Sequence, residues 1–276
     1  MIRVVTDSAA DLPAEIRERL GVTIVPLSVR FGDETFIDGV DLDTATFWSR
    51  LDGDSALPET AAPSAGAFMD AFETLAEDGA DGIVVVSLSS RLSATHQSAV
   101  IAAENLSSRL PVRVVDSRTV SMALGLTVMA AAEAAIAGAD LSGVAAAAAG
   151  ATDRVDIVVA LDTLEFLKRG GRVGGAQALI GGLLDVKPLI TVEDGVVAAA
   201  GRVRTRSKAR AAIIELATAN SDAAHMAVIH GKAADIDEVA TTIRDIVGDH
   251  VFVAELGPVV GTHAGPGTIG VAFQRV

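Results

Sequence analysis

The chain has 276 residues, 50% of them hydrophobic and 21% charged, which suits one large domain or two of ordinary size and argues against long disordered stretches. Its formal net charge of −14 disfavours general binding to nucleic acid or anionic lipid. The chain contains no cysteine, which excludes disulfides, thiolate metal sites and cysteine nucleophiles, and its aromatic content of 3% disfavours stacking platforms for bases or sugars.

Short β-branched runs alternate with longer helical stretches along the chain, a pattern typical of an α/β fold. The first residues include Asp7 and Asp11 where a signal peptide needs an apolar run, so we expect a soluble cytoplasmic protein. In the first half the pattern predicts strands Arg3–Thr6, Val22–Arg30, Gly82–Ser87 and Val112–Asp116, and helices Pro13–Leu20, Ala65–Glu77, Thr95–Asn105 and Met122–Ala137.

A soft domain boundary is expected near Gly150, because residues 141–150 are mostly alanine and other small residues and the alternation restarts at Val155. We therefore expect two α/β domains, residues 1–150 and 151–276. The second half is predicted to contain a strand at Val155–Leu161, a glycine-rich stretch from Gly170 (GGRVGGAQALIGGLL), a hairpin turned at residues 193–195, helices Ser207–Ala219 and Ile236–Val247, a strand at Met226–His230 and two late strands.

The segment GPGTIG, from Gly265 to Gly270, has the spelling of a dinucleotide-binding turn. That turn must open a helix and be followed by an acidic residue about 20 positions later, whereas the sequence runs only to Val276. We expect instead a stiff turn that holds His263 between two strands. The sequence contains no HExxH motif and no paired acid–histidine cluster, so it predicts no metal site and no cofactor.

Hydroxyl side chains cluster where three strands are expected to end, at residues 6–8, 87–95 and 116–119. Ligands of open α/β sheets bind at the carboxyl ends of strands, where helix N-termini present free N–H groups to an anion. A small anion could bind there, although each cluster is also explained by helix capping alone. Similarly, Asp38, Asp41 and Asp43 are most simply a solvated loop that caps a helix.

Two basic segments stand out in this acidic chain, Lys168–Arg172 and the alternating run Arg202, Arg204, Arg206, Lys208 and Arg210. The first is rich in glycine and could bring a guanidinium group to an anion. The second is either a solvated face or a surface that docks an acidic partner or a membrane.

Together these segments resemble the DegV family over the whole chain. The resemblance is carried by VTDSAADLP at the start, TAAPS at residues 60–64, SSRLSATHQSA at 89–99, VVDS from residue 114, LEFLKRGGR from 164, KPLI from 187 and HAGPGTIG from 263. The chain departs from the family pattern at Ala61, where a serine is common, and at Ala94 and His96, where glycine and an aromatic residue are frequent.

The resemblance implies two α/β domains, with a long-chain fatty acid (C14 to C18) in an apolar tunnel at or near their interface. By motif position, Thr60, Ser93, His263 and Arg172 would bind its carboxylate. Some family members are the fatty-acid-binding subunit of a bacterial fatty acid kinase, so a separate kinase subunit is the implied partner, with Arg202, Arg204 and Arg206 as a candidate docking surface. Nucleic acid is not expected to bind, and membrane contact is at most transient.

The resulting interpretation is a lipid-binding protein that is not itself a catalyst. One alternative is a serine-dependent hydrolase or transferase that acts on an acyl or phosphate ester, with Ser93 as nucleophile and His263 as base. Another is a scaffold that binds a partner through the basic run at residues 202–210.

Overall fold

The computed structural model describes residues 1–53, 57–106, 109–179 and 186–276. The last five residues of the glycine-rich stretch, 180–184, and the residue after it therefore lie outside the described residues. Strands in the first half are β1 (Ile2–Asp7), β2 (Thr23–Val25), β3 (Ser28–Phe31), β4 (Glu34–Ile37), β5 (Glu59–Ala61), β6 (Gly82–Ser87) and β7 (Val112–Asp116). Helices there are α1 (Ala14–Leu20), α2 (Thr44–Gly53), α3 (Ala65–Glu77), α4 (Thr95–Leu106), α5 (Met122–Ile136) and α6 (Leu141–Thr152).

The second half continues the alternation of strands and helices. Its strands are β8 (Val155–Ala160), β9 (Lys187–Glu193), β10 (Val196–Val203), β11 (His225–Gly231), β12 (Phe252–Glu255) and β13 (Thr268–Gln274). Its helices are α7 (Glu165–Arg169), α8 (Arg206–Ala219), α9 (Ile236–Val247) and α10 (Pro258–Ala264). Most predicted elements are confirmed to within one or two residues.

A four-stranded parallel sheet in the order β2-β1-β6-β7 forms the centre of the first half. All six residues of β6 are buried, as expected for an apolar β-branched strand covered on both faces by helices. The parallel arrangement brings the ends of β1, β6 and β7 to one edge, where the predicted hydroxyl clusters follow them.

The predicted strand Val22–Arg30 is wrong in one respect, because the structure divides it into two strands. Pro26 lies between β2 and β3, and proline cannot donate a hydrogen bond to a continuing ladder. The chain therefore leaves the parallel sheet there, and β3 pairs antiparallel with β4 and β5 in a separate three-stranded sheet. This small sheet positions Thr60, which faces inward on β5 while its two neighbours are exposed.

A six-stranded mixed sheet in the order β10-β9-β8-β13-β11-β12 forms the centre of the second half. Its pairs are antiparallel except for β11 with β12. The β9–β10 hairpin turns at Asp194 and Gly195, both with positive φ, which confirms the predicted turn.

Helix α5 lies between the two large sheets, in contact with β1 and β6 on one side and with β8 and β13 on the other. Its sequence, MALGLTVMAAAEAAI, is apolar on nearly every face, and its first eight residues are all buried. A helix that is hydrophobic all round belongs in a core, so α5 joins the two sheets into one continuous hydrophobic cluster.

His263 lies on helix α10, and the expectation that it would lie in a turn between two strands is wrong. The helix begins with Pro258 at its first position, where the missing N–H costs nothing. The helix ends at Ala264, and the next residue, Gly265, has a φ of +77°. The GPGTIG segment then leads into β13, not into a helix, so it lacks the geometry of a dinucleotide-binding turn.

Residues 141–150 are part of α6, which Asp140 caps by accepting a hydrogen bond from the Gly143 N–H at 2.8 Å. All strands of the four-stranded sheet precede this helix, and all strands of the six-stranded sheet follow it. The boundary near Gly150 stays a prediction. Among the helices in the described part of the chain, none combines the length and the hydrophobicity that crossing a bilayer requires.

Candidate functional site

A cavity of about 210 Å³ lies between the two halves of the chain. Residues that follow β1, β6 and β7 line one side of it, and residues of β8, β9, β10 and α10 line the other. Most of the lining is aliphatic: Ala9, Leu27, Leu88, Leu92, Val120, Ile157, Val159, Leu167, Ile190, Val192, Val197, Leu256, Val259 and Val260. Such a lining suits an apolar ligand.

The structure brings all four predicted ligand-binding residues to this one cavity. Thr60 comes from β5, Ser93 from the loop before α4, Arg172 from the segment after α7 and His263 from α10. These residues are separated by up to 203 positions in the sequence. Their assembly depends on the way the small sheet and α10 pack against the loop after β6.

Thr60 and His263 form a hydrogen-bonded pair, with 2.9 Å between the Thr60 Oγ1 and the His263 Nε2. Burial lowers the pKa of His263 to about 4, and the nearby positive charge of Arg172 contributes in the same direction. The imidazole is therefore neutral near pH 7, with one N–H to donate. The buried Nδ1 has no hydrogen-bond partner among the described residues, which favours the tautomer whose proton is on Nε2.

Gly170 allows His263 to adopt this position. A Cβ atom at residue 170 would lie 2.2 Å from the His263 Nδ1, far inside van der Waals contact. The backbone of the residue after α7 thus packs directly against the imidazole ring, and only glycine fits there without displacing it.

Arg172 is a half-buried cation at the edge of the aliphatic cavity. Its Nε donates to the Leu92 carbonyl at 3.2 Å and its Nη1 to the Gly170 carbonyl at 2.7 Å. No carboxylate forms an ion pair with it in the described part of the chain. The remaining N–H groups of the guanidinium are thus free of an acidic partner, which is costly for a partly desolvated charge unless an anion binds.

Ser93 lies just before the N-terminus of α4, where its Oγ is 2.9 Å from the Thr95 Oγ1. Its loop is tied to the β9–β10 turn, because Ser89 donates to the Gly195 carbonyl at 2.7 Å and Arg91 to the Asp194 carbonyl at 2.8 Å. No hydrogen bond between Ser93 and His263 occurs among the described residues, so the pairing of nucleophile and base that the hydrolase interpretation needs has no support in this geometry.

The three departures from the family pattern have different surroundings. Ala94 lines the cavity beside Ser93, whereas Ala61 is exposed on β5. His96 is turned toward the strand before it, with its Nδ1 at 3.0 Å from the Ser87 Oγ, and it does not line the cavity.

The basic run at residues 202–210 contains two kinds of arginine. Arg206 is not a free cation, because it forms a two-point ion pair with Asp235 and also donates to the Gly267 carbonyl. Arg210 is held in the same way by Glu238, with two contacts of 2.7 Å. Arg202 and Arg204 are exposed and form no ion pair with any described residue. The surface available for docking is therefore narrower than the sequence suggests.

Sequence reasoning missed a cluster of buried carboxylates beside the cavity. Asp38 was expected in a solvated loop but is only 7% exposed, and its Oδ2 has no hydrogen-bond partner in the described ranges. Asp43 does cap α2 as expected, by accepting from the Thr46 N–H at 2.7 Å. Desolvation raises the pKa of Asp7 to about 7, that of Asp11 to about 8 and that of Asp38 to about 6. The sequence signal that could have indicated this cluster is the pair of aspartates in VTDSAADLP, Asp7 and Asp11, which are four positions apart.

Comparison with known proteins gives consistent matches over the full length. The protein-family model described as "Uncharacterised protein, DegV family" matches residues 1–276. A DegV domain-containing protein of Streptomyces coelicolor is 41% identical over 278 residues, which cover 99% of this chain and 98% of that protein.

Two solved structures share the fold. A DegV family protein from Thermus thermophilus, described as binding fatty acid, is 33% identical with a TM-score of 0.88 over 100% of this chain and 99% of that one. A protein from Eubacterium ventriosum, described as binding stearic acid, is 28% identical with a TM-score of 0.87 over 100% and 98% of the two chains. These matches confirm the predicted α/β fold.

Proposed function

This chain belongs to the DegV family, and from that premise we propose that its cavity binds one long-chain fatty acid, of about 14 to 18 carbons. The solved relatives described as binding fatty acid and stearic acid support this ligand class. The carboxylate lies against Thr60, Ser93 and Arg172, and the acyl chain lies along the aliphatic wall.

The observation that carries the proposal is the guanidinium of Arg172, which has no carboxylate partner among the described residues yet lies at the rim of an apolar cavity. A single anionic group attached to a long apolar chain satisfies both features at once. A neutral lipid would leave the cation unpaired, and a small anion would leave the aliphatic surface bare.

The energy available from the acyl chain is sufficient. A sixteen-carbon acid carries about 14 methylenes, and burying each contributes about 0.8 kcal/mol, or roughly 11 kcal/mol before the costs of ordering and association. Micromolar binding needs about 8 kcal/mol. Affinity therefore comes mainly from the tail, and the polar residues serve to avoid the large desolvation cost of the carboxylate.

His263 acts on the ligand through Thr60. A neutral imidazole with its proton on Nε2 donates to the Thr60 Oγ1, 2.9 Å away, and the Thr60 hydroxyl proton is then free to point at the carboxylate. His263 thus orients a hydrogen-bond donor and need not carry a charge, since its pKa is about 4.

We further propose that the protein is a non-catalytic carrier in the cytoplasm, which presents the carboxylate to a separate fatty acid kinase subunit and touches the membrane only transiently. Arg202 and Arg204 are the docking residues in this scheme, because they are exposed and unpaired among the described residues, whereas Arg206 is held by Asp235. Arg204→Ala should then weaken capture of a kinase subunit without changing affinity for the fatty acid.

The ligand proposal is tested by native mass spectrometry of protein purified from a bacterial host, followed by denaturing extraction. We expect an added mass that disappears on denaturation and is identified as a C14 to C18 acid. Absence of any such acid, together with no displacement of a fluorescent fatty acid, contradicts the proposal. Covalent labelling with a serine-reactive phosphonate should fail, whereas labelling of Ser93 would favour the hydrolase.

A further inference from the structure

Asp11 connects three segments that form the wall of the cavity. Its Oδ1 accepts a hydrogen bond from the Gly257 N–H at 2.9 Å, and its Oδ2 is 2.6 Å from the Ser121 Oγ. Gly257 is the N-cap of α10, and Ser121 directly precedes α5. One carboxyl group therefore joins the loop after β1 to the starts of two helices that are 136 positions apart.

The three joined segments all contribute to the cavity, but Asp11 itself does not. Ala9, Ser121 and Val259 line the cavity, while Asp11 lines a second pocket of about 430 Å³ behind that wall. A Cβ atom at Gly257 would lie 3.2 Å from the Asp11 Oδ1. The N-terminus of α10 is thus in close contact with the carboxyl group from outside the cavity.

Ser121 has a backbone conformation that needs such support. Its φ and ψ of +58° and −146° lie in a sparsely populated region that is strained for a non-glycine residue. The Ser121 N–H donates to the Ala9 carbonyl at 2.8 Å, and the side chain is held by Asp11. Among the described residues, the hydrogen bond to Asp11 is the side-chain contact that holds Ser121 in this strained conformation.

We propose that Asp11 is a positioning residue for fatty acid binding, which holds Ser121 and the start of α10 against the ligand cavity without touching the ligand. Because α10 also carries His263, displacement of its first turn also shifts the side chain that orients Thr60. This inference rests on the proposed binding of a fatty acid in the cavity.

The charges around Asp11 favour its neutral form. Asp7, Asp38 and Glu255 line the same pocket, with Arg17 as a cation there, and burial together with Asp38 and Asp7 raises the pKa of Asp11 to about 8. In the neutral form the Oδ2–H donates to the Ser121 Oγ while Oδ1 still accepts from Gly257. Asparagine has the same shape and the same donor and acceptor positions, so it should replace neutral Asp11.

The test compares wild type, Asp11→Asn and Asp11→Ala in displacement of a fluorescent fatty acid by stearic acid near pH 7. We expect Asp11→Ala to weaken binding about tenfold or more, and Asp11→Asn to stay within about threefold of wild type. Asp140→Ala removes an equivalent hydrogen bond at the N-cap of α6, away from the cavity, and should leave affinity unchanged.

A second measurement tests whether Asp11 is neutral in the folded protein, as its replacement by asparagine assumes. A raised pKa means that wild type loses stability relative to Asp11→Asn as pH rises from about 4 through 8. The difference between their urea midpoints, followed by the fluorescence of Trp48, should therefore widen between pH 5 and pH 9. A constant difference would show that Asp11 is ionised in the folded protein and would overturn its proposed equivalence with asparagine.

The outcomes separate the two claims. If wild type itself binds no fatty acid, the proposed function fails. If wild type binds and Asp11→Ala binds equally well, or Asp11→Asn is as weak as Asp11→Ala, only the role of Asp11 is overturned. Should Asp11→Ala fail to fold, Ser121→Ala removes one of the two contacts and is expected to weaken binding several-fold; wild-type affinity in that variant overturns the proposal.

Discussion

Helix α10 has a polar cluster at each end, and the two clusters are opposite in kind. At its start, three carboxylic acids, Asp7, Asp11 and Asp38, lie close enough to interact, and the first two accept backbone hydrogen bonds. At its end, the guanidinium of Arg172 lies near His263 without an acidic partner among the described residues.

Burial favours the neutral form of the titratable groups in both clusters, but a permanent charge remains in only one of them. The acids at the start can each take up a proton, and burial raises the pKa of all three. The imidazole at the other end can lose its proton, and burial lowers its pKa, but a guanidinium cannot lose its charge at any ordinary pH. An unmatched charge that cannot be titrated away marks a ligand site more reliably than a cluster that can be protonated.

The largest loss of fatty acid affinity is expected on substitution of Arg172, which carries the permanent charge near the end of α10. Arg172→Ala should weaken fatty acid binding about 100-fold, or about 3 kcal/mol, because Arg172 is the one cation that lines the proposed site among the described residues. Isothermal titration of a C16 acid measures the change. Arg204→Ala, which removes an exposed cation away from the cavity, is the control; equal losses in both variants would indicate a general charge effect.

The next effect concerns the close packing of Gly170 on His263. Gly170→Ala places a methyl group 2.2 Å from the Nδ1 of the ring, so the imidazole must move and Thr60 loses its orienting donor. We expect binding about 30-fold weaker, equivalent to about 2 kcal/mol. Gly150→Ala in α6, where an added Cβ meets nothing within 4 Å, should leave binding intact. Unchanged affinity in Gly170→Ala would remove His263 from the site.

A smaller effect is expected at Ser93, which provides one neutral hydroxyl. Ser93→Ala should reduce affinity about tenfold, or about 1.4 kcal/mol, because a charged acceptor loses one donor but keeps the guanidinium. Displacement of a fluorescent fatty acid measures it. Ser90→Ala, three residues earlier and exposed, is the matched control, and identical behaviour of the two variants would exclude Ser93 from the carboxylate contacts.

The smallest effect tests the acidic end of the helix. Burial raises the pKa of Asp38 to about 6, so its contribution to stability is complete below about pH 4 and is lost as pH rises through 6. Asp38→Asn should therefore gain stability relative to wild type between pH 4 and pH 7 in urea unfolding. Asp43→Asn is the control, because the Thr46 N–H lowers the pKa of Asp43. Wild type should lose stability relative to that variant only as pH falls below about 4, so the difference should stay nearly constant between pH 4 and pH 7; a gain like that of Asp38→Asn would contradict the assignment.

Local pattern was sufficient for much of the fold. The apolar β-branched runs in GIVVVS and VRVVD and the Asp-Gly turn at residues 194–195 each act within a few residues, so they predicted β6, β7 and the β9–β10 hairpin. Pro26 was also visible, but its consequence, a change of sheet, depends on which strand is available to pair next.

The candidate site was predicted by motif, and its contacts were not. Thr60, Ser93, Arg172 and His263 could be named from the resemblance, but nothing in the sequence places the Thr60 hydroxyl beside the imidazole or Gly170 against its ring. Arg202, Arg204 and Arg206 are alike as a sequence pattern. They differ in the folded chain because Asp235 pairs with Arg206, whereas Arg202 and Arg204 form no ion pair with a described residue.

The sequence by itself determined the fold class, most strands and helices, the family and the residue types that meet an acyl carboxylate, since these follow from short-range periodicity and from side-chain chemistry. Tertiary structure decided which charges are neutralised and which are left unpaired, that Asp38 is buried, and that Asp11 connects to α10. Such pairings join residues as many as 246 positions apart, and desolvation depends on everything packed around a group, so no local pattern encodes them.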